Sequence, residues 1–220
     1  MLRDLPDRPQ ILDIGCGPGL QTMELVQRSN GHVVGLDFYE SYLSRLKAKA
    51  ELASLQDRID TLQGSMFDIR LPDQSIDLIW AEGSIYIIGF EKGLREWQRL
   101  IRPKGYLAAT HLSWLTPDIP DEPKRFWAEK YPAITSVENN LAIAESAGYD
   151  NVGHFTLPES AWWNDYYKPL ENRLAELGSD LQFTQDPIAQ AAMAGTKREI
   201  DLYRQYPEVY GYVFYVLRRR

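Results

Sequence analysis

One run, Ile11-Leu-Asp-Ile-Gly-Cys-Gly-Pro-Gly19, restricts the fold of this chain more than any other stretch. It opens as an apolar strand and leads directly into a helix-forming segment. Glycines at 15, 17 and 19 let the backbone turn tightly and let a ligand approach the main chain with no Cβ in the way. Glycine turns of this kind also serve dinucleotides, so their spacing alone does not choose the ligand. Asp13 does. A carboxylate at the carboxyl end of a strand repels a pyrophosphate and suits a cationic ammonium or a loop amide. A second acid, Asp37, ends the next apolar run, placed to accept hydrogen bonds from a ribose diol.

The surrounding pattern is strand–helix alternation. Short apolar runs at Gln10–Ile14, His32–Asp37, Ile59–Gln63, Ile76–Ala81 and Gly105–Thr110 read as strands. Leu43, Leu46, Ala50 and Ala53, like Phe90, Leu94, Trp97 and Ile101, recur at helical spacing on one face. Such alternation predicts an α/β fold with a parallel sheet covered on both faces. After residue 110 the pattern changes. His111–Pro123 holds three prolines and reads as an irregular connection, followed by helices at Glu122–Tyr131 and Ser136–Ala147, the second closed by Gly148. Asn151–Leu157 reads as a strand, 160–206 as helical with Leu170, Leu174, Leu177 and Leu181 on one face, and Tyr210–Leu217 as a buried strand. Far more chain separates the last two strands than a hairpin needs. The expectation is one domain over 1–220, with cap segments at about 112–135 and 160–206 over the carboxyl ends of the strands.

ILDIGCGPG, GLDF with its acid at Asp37, and GSMFDIRLPDQSIDLIWAEGS resemble the class I S-adenosylmethionine-dependent methyltransferases, and RPKGYL resembles the turn these enzymes carry before their fifth strand. The likeness spans about 10–110. EGSIYIIGFEKGLREW and YGYVFYVLRR also resemble a narrower group of bacterial and archaeal methyltransferases. The resemblance implies a Rossmann-like, doubly wound sheet of seven strands in the order 3-2-1-4-5-7-6, the last antiparallel. It further implies S-adenosylmethionine as cofactor, S-adenosylhomocysteine as product and no metal. Carried onto this sequence, Asp13 would hold the glycine loop and the methionine ammonium. Gly15 and Gly17 would leave room for the methionyl and ribose parts, with Cys16 contributing backbone. Asp37 would take the ribose hydroxyls, Phe38 would pack on the adenine, and Ser65 and Met66 would meet its edge, with Asp68 as a substitute for the acid many relatives have at 65. Glu82 and Gly83 would line the boundary between cofactor and acceptor. His111, Glu82 and Tyr86, in that order, are candidate bases. Relatives usually carry a few tens of residues before the glycine loop, a closing segment whose role the internal cap is expected to take over here.

Several acceptors are excluded by what the residues after the fourth strand lack. Ala81-Glu-Gly-Ser-Ile-Tyr86 is not the Asn/Asp-Pro-Pro-aromatic signature of amino-methylating nucleic-acid enzymes. The one cysteine sits in the glycine loop, away from any acceptor thiolate role, and suits a reducing compartment. With 24 basic and 31 acidic residues the net charge is −7, so nucleic acid is not an expected partner. No segment approaches the roughly 18 apolar residues of a membrane span, and the N-terminus carries no apolar leader. The expectation is a cytoplasmic enzyme, monomer or homodimer, methylating a small molecule by direct in-line transfer. Three rivals stand beside it: a nicotinamide-dependent oxidoreductase, opposed by Asp13; a protein that binds the cofactor without transfer; and a methyltransferase acting on protein or RNA.

Overall fold

The computed structural model describes residues 2–179, 183 and 185–220, apart from the side chain of Asp165. The elements run β1 (Gln10–Ile14), α1 (Leu20–Arg28), β2 (His32–Asp37), α2 (Glu40–Leu52), β3 (Ile59–Gln63), β4 (Ile76–Ala81), α3 (Phe90–Trp97), β5 (Ile101–Trp114), α4 (Asp121–Lys130), β6 (Thr135–Ser136), α5 (Val137–Ser146), β7 (Tyr149–Thr156), α6 (Glu159–Trp162), a π-helical turn (Trp163–Tyr167), α7 (Lys168–Leu177), α8 (Pro187–Gln205) and β8 (Tyr210–Arg219). The sheet order is β3-β2-β1-β4-β5-β8-β7, with β6 pairing β5 off that path. Setting aside the two-residue β6, this is the expected 3-2-1-4-5-7-6. The β1–β2, β1–β4, β2–β3 and β4–β5 pairs are parallel. Leu115 N–H to Val209 O and Arg218 Nε to Lys104 O tie opposite ends of β5 and β8, so β8 runs antiparallel to β5.

β1, β2 and β4 are largely buried because helices cover them, whereas in β3 only Ile59 is buried; all four keep the bounds expected from sequence. Two readings change. β5 is longer than Gly105–Thr110: it starts at Ile101 despite Pro103 and a left-handed Lys104 (φ 65°), and it continues through His111–Trp114. Ser113 and Trp114 find parallel partners in Thr135 and Ser136, which satisfies a backbone that three nearby prolines made look irregular. Ala53 lies just past the end of α2, and Ile101 opens β5 rather than closing the helix before it.

The chain divides into two compact units: 1–111 with 137–155 and 213–220, and 112–136 with 156–212. In the first, Leu43, Leu46 and Ala50 of α2 and Phe90, Leu94 and Trp97 of α3 are buried, as their spacing predicts. The second has its own aromatic core. Trp162 stacks on Tyr203, Tyr212 and Tyr167 with ring centroids 4.6, 4.9 and 5.3 Å apart. Trp114, Phe126 and Trp127 are buried in the same cluster, while Tyr166 stays exposed. Leu170, Leu174 and Leu177 are half-buried on α7, and Leu181 lies outside the described residues.

Candidate functional site

The site grows from the carboxyl ends of β1, β2 and β4, where parallel α/β sheets bind ligands. After Ile14 the chain turns through Gly15 and Gly17, at φ 75° and 52°. This is a left-handed region that costs any other residue about 1–2 kcal/mol. The N–H groups of Gly15 and Cys16 both donate to Leu36 O, at 2.8 and 3.0 Å, and this locks the loop against β2. A Cβ on Gly15 would stand 2.6 Å from that of Ser84, whereas one on Gly17 would meet nothing within 4 Å. Gly15 is thus required by packing, and Gly17 keeps space open.

Asp37 carries out the loop-holding role expected of Asp13. Its two oxygens accept from Gly17 N–H and Tyr39 N–H, each at 2.9 Å, because it sits at the end of β2 directly beside the loop. Asp13 faces elsewhere. It is 2% exposed, and its Oδ2 accepts from the Thr22 hydroxyl of α1 at 2.6 Å. Burial is the main reason its carboxyl is pushed up to about 7; the Thr22 hydrogen bond opposes the shift, and the nearby charges of Glu82 and Asp37 add to it. Glu82 is half-buried, its Oε2 accepting from the Trp80 indole at 3.1 Å, and burial raises its pKa as well. Cys16 is buried, and burial next to Asp13 and Asp37 drives its thiol far up, so it is an inert packing residue.

These elements surround a cleft of about 500 Å³. Of the residues expected from sequence, Gly15, Gly17, Asp37, Phe38, Ser65, Met66 and Gly83 line it. Leu36, Tyr39, Tyr42, Gly64, Phe67, Ser84 and Ile87 line it too and were missed. Tyr39 and Tyr42, three apart, sit at the start of α2 and share a face; that spacing was available as a signal. Phe38, 67% exposed, joins Tyr39, Phe67 and Ile87 in an exposed apolar rim. The β4 turn is held by Ser84 Oγ donating to Ile14 O at 2.5 Å and Gly83 N–H donating to Thr110 Oγ1 at 2.7 Å.

The remaining candidates sit apart from that lining. Asp13, Cys16, Glu82, Tyr86 and His111 do not line the cleft. Asp68, exposed, pairs with Arg70 at 3.0 Å. Tyr86 is exposed. His111, read as following the fifth strand, lies inside β5, 1% exposed and stacked on Phe90 with centroids 4.5 Å apart. Burial lowers its pKa to about 4. Among the described residues no group of three or more His, Cys, Asp or Glu is placed to hold a metal ion, and no helix is long and apolar enough to cross a membrane.

An open, largely apolar cleft with a glycine cradle and one acid, Asp37, in its lining has the chemistry of a small-molecule site. Residues 11–105 match the family described as a methyltransferase domain. A sterol 24-C-methyltransferase of Gibberella zeae is 28% identical over 188 residues, 78% of this chain and 48% of that enzyme. The chain thus spans about half the length of this curated relative. A methyltransferase from Thiobacillus denitrificans, solved with S-adenosyl-L-homocysteine, superposes with a TM-score of 0.79 at 17% identity, over 100% of this chain and 88% of its own. The [4+2]-cyclase SpnF superposes with a TM-score of 0.76 at 19% identity, over 98% and 76%. At such identities these two structures establish the fold.

Proposed function

We propose that this chain, a class I S-adenosylmethionine-dependent methyltransferase, holds S-adenosylmethionine in the glycine-loop cleft and methylates a small-molecule acceptor, with S-adenosylhomocysteine as product. The observation that carries the reading is the buried Asp37, which holds Gly17 N–H beside the open space that Gly17 leaves. When bound, the cofactor supplies a methyl group on a positively charged sulfur that leaves as a thioether.

The chain's own residues bind and orient. Asp37 has both oxygens fixed by backbone N–H groups and keeps lone pairs for a ribose diol. Phe38, Tyr39, Tyr42, Met66 and Phe67 give an adenine ring apolar faces, and Ser65 offers a hydroxyl at its edge. Asp13 and Glu82 set a negative potential suited to an ammonium. Where an acceptor must lose a proton, Glu82, its pKa raised by burial, is a better base than His111, which at about 4 holds a proton weakly. Tyr86 is the third candidate. A cytoplasmic location and a monomer or homodimer are also part of this proposal.

Incubation with methyl-labelled S-adenosylmethionine and a small-metabolite extract should yield S-adenosylhomocysteine and one labelled low-mass product. The alternative is binding of the cofactor without transfer. The same assay separates them: cofactor retained with no S-adenosylhomocysteine formed supports the alternative. Label incorporated only into protein or RNA would overturn the small-molecule acceptor.

A further inference from the structure

We propose that Thr22 is a positioning residue for this reaction: its buried hydroxyl fixes the Asp13 carboxyl behind the glycine loop and favours its charged form, which adds negative potential for the cationic part of the cofactor. The inference rests on the cofactor reading above. Thr22 sits in the first turn of α1, wholly buried, and donates to Asp13 Oδ2 at 2.6 Å. The bond ties the first turn of α1 to the end of β1 across the glycine loop.

The charged groups that act on Asp13 work against its charge: Glu82 from the turn after β4 and Asp37 from the end of β2, while the Cys16 thiol of the glycine loop stays neutral. Among the described residues no cation is paired with it. The carboxyl is thereby held near neutrality, and the Thr22 hydrogen bond is what pulls it back towards the carboxylate. Without that hydroxyl the carboxyl is raised further, and less of it is charged at neutral pH.

The test follows Asp13 itself. The 13C carboxyl resonance of Asp13, assigned by its loss in Asp13→Asn, is titrated in the full-length protein without cofactor. Wild type is expected to titrate near neutrality, Thr22→Val about one pH unit or more higher, and Thr22→Ser close to wild type. If Thr22→Val does not fold, Thr22→Ala replaces it with the same expectation. Calorimetric titration with S-adenosylmethionine from pH 6 to 9 should then show Thr22→Val binding about fivefold more weakly than wild type at pH 7 and approaching wild type at the same pH by pH 9. An Asp13 titration unchanged by loss of the hydroxyl overturns the proposal. So does a weakened binding that stays equally weak at every pH, which is what lost packing alone would give. Absence of S-adenosylmethionine binding by wild type at any pH overturns the cofactor reading instead, and the carboxyl titration still decides the Thr22–Asp13 coupling.

Discussion

At the amino end of the sheet and at its carboxyl end a carboxylate is buried in each case, and the two are treated differently. Asp77, near the start of β4, accepts from Gln10 N–H at 2.8 Å and pairs with Arg102 at 2.6 Å. Asp13, near the end of β1, has a neutral hydroxyl as partner and two further acids nearby, with no cation among the described residues. A chain selected only for stability would pair the second acid as it pairs the first, or replace it. Keeping it uncompensated costs folding free energy and leaves a negative potential ready for a positive ligand. The paired acid builds the sheet, and the unpaired one is the acid proposed here to serve the site.

The largest expected effect comes from removing the Asp13 charge. Its carboxyl titrates near 3.8 when solvated and at about 7 in the fold, so the folded state binds more protons between those values. Stability therefore falls as pH rises through that window, by up to about 4 kcal/mol at 1.36 kcal/mol per unit. Asp13→Asn should be more stable than wild type at pH 8 by up to this amount and equal to it below pH 4, read by urea unfolding at each pH. Asp77→Asn is the opposite case. It breaks a satisfied pair and should lose about 1–3 kcal/mol at pH 7. Equal signs for the two variants at pH 8 would break the comparison.

His111 sharpens it. This imidazole titrates near 6.5 when solvated and at about 4 in the fold, so the unfolded state binds more protons between those values. Stability is lost as pH falls from 6.5 to 4, by about 3 kcal/mol. In that window the Asp13 slope has the opposite sign. Wild type should be nearly flat between pH 4.5 and 6, and each single variant should expose the other group's slope. For His111→Gln this means stability that falls steadily as pH rises, followed by urea unfolding in half-unit steps.

How much of this was legible follows the range of the interactions. β1, β2 and β4 were readable residue for residue because each is a largely apolar run buried by its own neighbours, and β3, with only Ile59 buried, was readable from the alternation of strand and helix around it. β5 was not. Pro103, the left-handed Lys104 and the polar His111 and Ser113 all carry loop or surface signals, and the burial of His111 and Ser113 comes from distant packing. In the site, the glycine loop, Asp13 and Asp37 were legible because their spacing is local. The division of labour between the two acids was not: nothing in the sequence says that Asp37 holds Gly17 while Asp13 meets Thr22. Tyr39, Tyr42, Phe67, Ser84 and Ile87 reach the cleft only because the sheet order brings the ends of β2, β3 and β4 to one edge.

The central claim is that the carboxyl edge of this sheet binds a ribose-bearing cation rather than a phosphate. Calorimetric titration of wild type and Asp37→Ala with S-adenosylmethionine, and of wild type with NADH, tests it most directly. The account predicts S-adenosylmethionine binding that Asp37→Ala weakens by about 1–3 kcal/mol, the range for hydrogen bonds to a charged group, and no detectable NADH binding. Low-micromolar NADH affinity, or S-adenosylmethionine affinity indifferent to Asp37, would contradict it.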